Sequence, residues 1–321
     1  VTPGGGARAP RVVVTDQAFG QVRHERAVAA SFGAEFAEYH CITEAETIEA
    51  LAGADVAFVN FAPMTRGALA ALRPGATVIR YGIGHDNVDL AAARDLGVQV
   101  AHVPDYGTGT VADHAVACLL ALLRRLPAYD LAIRERGWCA PADVGPLPSF
   151  PATTVGLIGT GRIGRAVADR LRAFGFRVLA SDPYADPAPT FELVELPELL
   201  AQAHAISLHA PVTPGTRGLI SRARLARMRP GAVLVNTSRG ALVDTGALAD
   251  ALRSGHLAGA ALDVVDPEPL PPDHPLRGAP GVLLTPHAAF YSTESLDALQ
   301  RLAADEAARA LAGEALRRRV A

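Results

Sequence analysis

Gly159, Gly161 and Gly164 stand in the run GTGRIG, directly after an apolar segment, Thr154–Ile158, and ahead of a segment of helical period, Arg165–Phe174. Each glycine has a use in that setting. Gly159 permits a tight turn, Gly161 lets backbone N–H groups approach a pyrophosphate, and Gly164 lets the helix pack close on the strand, while the helix N-terminus favours the phosphate charge. Thr160, Arg162 and Ile163 complete the loop, with Arg162 either a pyrophosphate ligand or a surface charge. A second apolar run, Arg177–Ser181, ends at Asp182, 18 residues past Gly164, near the ~20-residue offset of an acid that holds ribose hydroxyls. A carboxylate there repels a 2′-phosphate, and no Arg or Lys follows it through Pro189. The expected cofactor is therefore NAD rather than NADP.

Three further polar residues close apolar runs of strand character: Arg239 in VNTSRGALVD, Glu268 in ALDVVDPEPL and His287 in LTPHAAFYS. Strand ends on one side of an open parallel sheet are where ligands bind. Taken singly, these are a surface arginine, a loop acid between prolines and one of ten histidines. Taken together, they supply what hydride transfer to a 2-keto acid needs: a cation for the carboxylate and carbonyl, an acid/base, and a carboxylate to orient and charge it.

The surrounding chain has the pattern needed to hold such groups. From Val12 onward, short β-branched runs alternate with Ala/Leu/Arg-rich segments of helical period, which predicts an α/β fold built on parallel sheets. Strands are expected at Arg11–Thr15, Val56–Asn60, Thr77–Arg80 and Val98–His102, with helices that include Arg66–Leu72 and Leu90–Leu96. A long apolar helix should run from Thr108 to about Leu126. A Pro- and Gly-rich connection, Pro141–Pro151, then leads into the glycine-loop unit and its later runs AISLHAP, AVLVNTS, GAALDVV and VLLTPHA. The last stretch, Ser292–Arg319, has helical period, and its closing Arg317, Arg318 and Arg319 are expected at a solvated helix end.

With 321 residues, half of them hydrophobic, and a net charge of −3, the chain is long enough for about two domains. That balance argues against disorder, nucleic-acid binding and a polybasic membrane surface. All 30 basic residues are Arg, which excludes Schiff-base chemistry and a Walker-type loop. Cys41, Cys118 and Cys139 lie too far apart in sequence for a short-spaced zinc site or redox dithiol. Sparse cysteines and an N-terminus without a leader pattern point to the cytoplasm. The apolar run Val111–Leu123 is interrupted by Asp113 and His114 and is too short to span a bilayer.

The stretches RYGIGHDNVDL, VPDYGTGTVADHAVACLLALLRR, GLIGTGRIGRAV, SDPY, VNTSRGALVD, ALDVVDPEP and TPHAAFYS resemble, in order, those of the D-isomer-specific 2-hydroxyacid dehydrogenases. Within them, the chain looks most like the C-terminal-binding-protein and glyoxylate/hydroxypyruvate-reductase subgroup. The resemblance implies that Arg239 binds the substrate carboxylate and keto oxygen, His287 is the acid/base and Glu268 pairs with it. It also implies that the backbone at Gly82, Ile83 and Gly84 receives the carboxylate, where the plainer reading is an ordinary turn. Thr110, Ala210, Pro211, Thr213, Thr237 and Ser238 match further cofactor positions, and Asp263 matches a contact near the nicotinamide amide.

The implied architecture is a Rossmann-type doubly wound sheet over 104–287, inserted into a smaller flavodoxin-like substrate domain. That smaller domain would be made from 1–103 and a returning segment, 288–321, with the active site in the cleft and a homodimer formed through the Thr108–Leu126 helix. Phe290 stands where C-terminal-binding proteins typically have Trp, so their substrate preference does not carry over. Glu268 stands where formate dehydrogenases have Gln, which argues against formate. Phe61, Met64, Phe290 and Tyr291 either line an apolar side-chain pocket or pack in a core. Beyond Arg66 there is no cation cluster for a phosphorylated substrate, which disfavours phosphoglycerate. The rival from another class is an NAD-sensing binding protein in which turnover is incidental, and the Arg239/Glu268/His287 set weighs against it.

Overall fold

The computed structural model describes residues 8–188 and 190–321. The N-terminal reading above rests in part on residues 1–7, which lie outside the described residues, as does Pro189. The chain divides into two compact units: one runs up to Gly107 and resumes over Ser292–Ala321, and the other is Thr108–Tyr291.

The first unit contains β1 (Arg11–Val14), α1 (Arg23–Ser31), β2 (Glu35–Glu38), α2 (Glu44–Leu51), β3 (Val56–Val59), α3 (Arg66–Ala70), β4 (Thr77–Arg80), α4 (Leu90–Leu96) and β5 (Gln99–His102). Its five strands are all parallel, in the order β2-β1-β3-β4-β5. This is the flavodoxin-like order, with its switch point between β1 and β3. Alternate residues feed two cores. Val13, Ala57, Val59, Val78 and Val100 face α2, α3 and α4, while Val12, Val14, Phe58, Ile79 and Tyr81 face the opposite layer. Period-2 alternation buried on both faces explains why these strands read as continuous apolar runs.

The second unit opens with α5 (Thr108–Leu123) and α6 (Leu126–Arg136), followed by β6 (Thr154–Ile158), α7 (Arg162–Ala173), β7 (Arg177–Ser181) and β8 (Glu192–Leu193). Then come α8 (Leu196–Gln202), β9 (Ala205–Leu208), α9 (Arg222–Leu225), β10 (Val233–Asn236), α10 (Thr245–Arg253), β11 (Gly259–Leu262) and β12 (Val282–Leu284). The sheet is β12-β11-β10-β9-β6-β7-β8 and wholly parallel. The chain thus winds outward from β6 in both directions, placing the glycine turn at the switch point between β6 and β9. One face is covered by α5 and α7 through Ala115, Leu119, Val167 and Leu171. The other carries Leu199, Leu248 and Leu252.

Two expected helices end differently. The long helix stops at Leu123, because Arg125 takes a left-handed φ of 55° and begins α6 with Pro127 in its first turn. The returning segment forms α11 (Thr293–Leu311) and then leaves helical geometry. Arg317 is therefore not at a helix end: its N–H donates to Glu306, Arg318 pairs with Asp105 at 3.0 Å, and Arg319 bridges Ala101 in antiparallel fashion. Main-chain pairing and acidic partners hold this tail, so the expected solvated helix end is corrected. In the first unit α11 contributes Leu299, Ala303 and Ala307 to the core that holds Tyr81. Among the described residues, no helix is long and apolar enough to cross a membrane.

Candidate active site

The glycine turn follows β6, and α7 starts at Arg162 with Gly161 as its N-cap, three residues earlier than its sequence period indicates. Arg162, Ile163 and Gly164 therefore form the first helical turn, where unsatisfied N–H groups point outward. Gly159 has φ 94°, and a Cβ there would lie 2.7 Å from the His209 carbonyl. A Cβ on Gly164 would collide with the Gly159 carbonyl. The loop is thus closed to side chains where a pyrophosphate must approach backbone.

Asp182, at the end of β7, is tied to this loop. One carboxylate oxygen accepts from the Thr160 N–H at 2.8 Å and its hydroxyl at 3.0 Å, and the other accepts from the Tyr184 N–H at 3.0 Å. Burial pushes the carboxyl up, but these hydrogen bonds and the Arg165 charge outweigh it and hold the group below its usual range. Asp182 therefore presents a negative charge at neutral pH. Farther along, both ring nitrogens of His209 and the Thr237 hydroxyl are buried without a hydrogen-bond partner. Burial alone pushes the His209 imidazole down to about 4, so it is a neutral ring. Orphaned polar atoms beside a side-chain-free cradle fit a polar group bound there, and the residues present fit a dinucleotide.

The other expected contacts are structurally simple. Thr213 and Thr216 hydroxyls lie 3.0 Å apart in the loop after β9, which also carries Ala210 and Pro211. The Ser238 hydroxyl donates to the Leu208 carbonyl at 2.9 Å, and Thr110 lies in the first turn of α5.

Arg239, Glu268 and His287 come together in this one unit. His287 Nδ1 lies 2.9 Å from Glu268 Oε2, and Glu268 Oε1 accepts from the Val265 N–H at 3.0 Å. A carboxylate only accepts, so Nδ1 carries the hydrogen, and Nε2 is the nitrogen available to exchange a proton with a ligand. Burial raises the Glu268 carboxyl, but the hydrogen bond and charge of His287, the Val265 N–H and the Arg239 charge bring it below the ordinary value. Arg239 ends the turn after β10. Asn236 clamps that turn, donating to the Arg239 carbonyl at 2.8 Å and accepting from the Ser238 N–H at 3.0 Å. A Cβ on Gly240 would overlap the Val265 carbonyl, so only glycine lets this turn lie against the segment leading to Glu268. The Phe290 ring stands edge-on to His287 at 6.5 Å between centroids.

Asp263, at the end of β11, is 4% exposed and anchors the turn that carries His287. Its carbonyl accepts from the His287 N–H, one carboxylate oxygen accepts from Thr285 Oγ1 and the Ala288 N–H, and the other accepts from the Ala289 N–H.

Gly82, Ile83 and Gly84 belong to the first unit. Gly82 has φ 118°, its carbonyl accepts from the Val103 N–H at 3.0 Å, and His102 Nδ1 lies 2.8 Å from the Ile83 carbonyl. Of the four apolar residues offered for a side-chain pocket, Met64 is corrected: it is fully buried in the first unit's core with Leu69 and Val88, because the chain at Met64 pairs with Val88. Phe61 is half exposed, and it lines a cavity of 370 Å³ with Asp16, Gln17, His40, Cys41 and Ile42. Tyr291 is exposed. Arg66 is paired with Asp95.

Comparison with known proteins bears on this geometry. Residues 116–289 match the family model for the NAD-binding domain of D-isomer-specific 2-hydroxyacid dehydrogenases, and a hydroxypyruvate reductase of Blautia hydrogenotrophica is 36% identical over 265 residues, 80% of this chain and 82% of that protein. The chain belongs to the D-isomer-specific 2-hydroxyacid dehydrogenase family. It is also 41% identical over 272 residues to the D-3-phosphoglycerate dehydrogenase of Mycobacterium tuberculosis, 83% of this chain but 51% of that protein. The chain thus spans about half the length of the mycobacterial relatives it matches. A solved family-like structure, the TT0316 protein from Thermus thermophilus, superposes with a TM-score of 0.87 at 37% identity, covering 97% of this chain and all of the other.

Sequence reasoning missed Asn236, His209, Thr285 and His114 as members of the 2-hydroxyacid dehydrogenase site. Each stands in or beside a motif already singled out. Their signal was position at a strand end, which a plain polar residue does not advertise.

Proposed function

We propose that the chain is an NAD-dependent oxidoreductase that moves a hydride between NADH and a 2-keto acid or D-2-hydroxy acid. The observation that carries this reading is the His287–Glu268 contact of 2.9 Å, which leaves Nε2 as the proton-exchanging nitrogen. Bound NADH would supply the hydride. Gly159, Thr160, Gly161, Arg162, Ile163 and Gly164 would hold its pyrophosphate on backbone N–H groups, and Asp182 its ribose hydroxyls. Thr110, Ala210, Pro211, Thr213, Thr237, Ser238 and Asp263 would complete the cofactor site. Arg239, whose planar fork suits a carboxylate beside a carbonyl, would polarise the keto oxygen, and backbone at Gly82, Ile83 and Gly84 would take the carboxylate.

In reduction, His287 delivers the Nε2 proton to the forming alkoxide, and Glu268 stabilises the charged ring until that proton leaves. In oxidation the neutral ring takes the hydroxyl proton. Phe61 and Tyr291 would border the substrate side chain. A homodimer would bury the exposed Leu126, Leu131 and Trp138 on and just beyond α6, in a cytoplasmic setting.

The test is loss of NADH absorbance with glyoxylate, hydroxypyruvate and pyruvate. Arg239→Ala should lower kcat/KM for the best substrate at least a hundredfold, while NADH binding by fluorescence titration stays within about threefold. Wild-type turnover by that variant refutes the role of Arg239. NADH binding without turnover of any keto acid would favour the sensor reading.

A further inference from the structure

The turn that carries His287 is conformationally expensive. His287 itself sits at φ 53°, a left-handed conformation that a non-glycine residue holds only when its surroundings impose it. Three successive N–H groups of this turn are directed at one residue: His287 to the Asp263 carbonyl at 2.8 Å, and Ala288 and Ala289 to the two carboxylate oxygens at 2.8 Å each. The direction of the catalytic ring therefore depends on the rotamer of the Asp263 carboxylate.

That rotamer is set from outside the turn's backbone. Thr285 Oγ1 lies 2.6 Å from Asp263 Oδ1. A carboxylate is acceptor-only, so the threonine hydrogen is committed to it, and the hydroxyl lone pairs remain to accept. His114 Nε2, from α5, lies 3.2 Å from that hydroxyl and 3.9 Å from Asp263 Oδ1. With the threonine hydrogen spent, the imidazole must be the donor. The result is a relay His114 Nε2–H → Thr285 Oγ1–H → Asp263, anchored on a helix whose Ala112, Ala115 and Leu119 are buried in the unit's core. The Asp263 side chain is 1% exposed, so water offers no substitute donor, and losing the hydroxyl leaves an acceptor short of a partner. The Cys118 thiol also faces Asp263 but is pushed up to about 11, mainly by burial, and so adds no charge at neutral pH.

We propose that Thr285 and His114 are positioning residues for the reaction, orienting His287 toward Glu268 through the buried Asp263 carboxylate. The inference rests on the reading of His287 as acid/base.

The experiment uses the full chain with NADH and whichever of glyoxylate or hydroxypyruvate is turned over. Thr285→Val, Thr285→Ser, His114→Leu and Glu268→Gln are compared for kcat, the pH–rate profile of reduction and amide exchange of the peptide spanning 286–291. Thr285→Val should lower kcat about tenfold or more, as expected when a reacting group is displaced by about 1 Å. It should move the alkaline limb of reduction in the same direction as Glu268→Gln and speed exchange across 286–291. Thr285→Ser should restore all three.

His114→Leu, on a partly exposed side chain, should move the same readouts in the same direction by about threefold in kcat, and it stands alone if Thr285→Val does not fold. A wild-type limb in Thr285→Val or, where that variant does not fold, in His114→Leu overturns the proposal, as does failure of serine to restore. If Glu268→Gln itself leaves the limb in place, it is the acid/base reading that fails, and this inference falls with it. A limb moved by Glu268→Gln but by neither positioning variant defeats this inference alone.

Discussion

Replacing Glu268 by Gln keeps the shape of the side chain and its contact with the Val265 N–H but removes the charge 2.9 Å from His287 Nδ1. Two unit charges about 4 Å apart interact by about 1 kcal/mol in water and about 4 kcal/mol at an effective dielectric of ~20. The imidazole and carboxylate side chains are 27% and 37% exposed, so solvent screens the pair and the upper figure must be discounted. A value of about 1.5–3 kcal/mol is reasonable, which at 1.36 kcal/mol per pH unit corresponds to about one to two units.

The sign follows from which form reacts. Reduction needs the proton on the ring, and Glu268, itself held below the ordinary carboxylate range against the push of burial, favours the charged ring. Without that charge the protonated form is lost at lower pH, so the alkaline limb of reduction should move down by about one to two units. The acid limb of oxidation, which needs the neutral ring, should extend to lower pH. Paired pH–rate profiles at saturating cofactor, with a check that chemistry limits the rate, measure both. A reduction limb that stays in place or moves upward would falsify the pairing.

Asp182, charged and fixed on the Thr160 loop, should give NADH at least a tenfold advantage over NADPH in kcat/KM, about 1.4 kcal/mol. Asp182→Ala should narrow that ratio, and equal values in the wild type would remove Asp182 from the ribose. Glu25 is buried beneath Tyr81, whose hydroxyl donates to it at 2.8 Å, and burial raises its carboxyl despite hydrogen bonds from its own backbone, Tyr81 and Gln300. A raised carboxyl stabilises the fold below the ordinary carboxylate range, and that contribution is lost as pH rises through the folded value. Glu25→Gln should therefore gain on the wild type in Tm as pH rises from about 4 to 8, by a few degrees, and parallel Tm curves would contradict this.

Much of the fold and of the chemistry was legible in the residue order. The strand runs Thr77–Arg80, Thr154–Ile158 and Arg177–Ser181 have the bounds their apolar patterns mark, because strands buried on both faces carry an unbroken local signature. The glycine loop, Asp182 and the trio Arg239, Glu268 and His287 were legible for a similar reason: each lies at the end of such a run, and a parallel sheet brings those ends to one side. The break between α5 and α6 at Arg125, the departure of Arg317–Arg319 from helix and the burial of Met64 were not. They depend on partners far away in sequence: the Ala258 carbonyl that takes Arg125 at 2.8 Å, the edge of β5, and Val88. Nor could the order of residues show that Asp263, Thr285 and His114, up to 171 positions apart, meet at one carboxylate. Local spacing carries backbone conformation and strand-end placement, whereas the partner of a buried polar group is set by which elements the sheet stacks together. Only the tertiary structure decides how the turn bearing His287 is held.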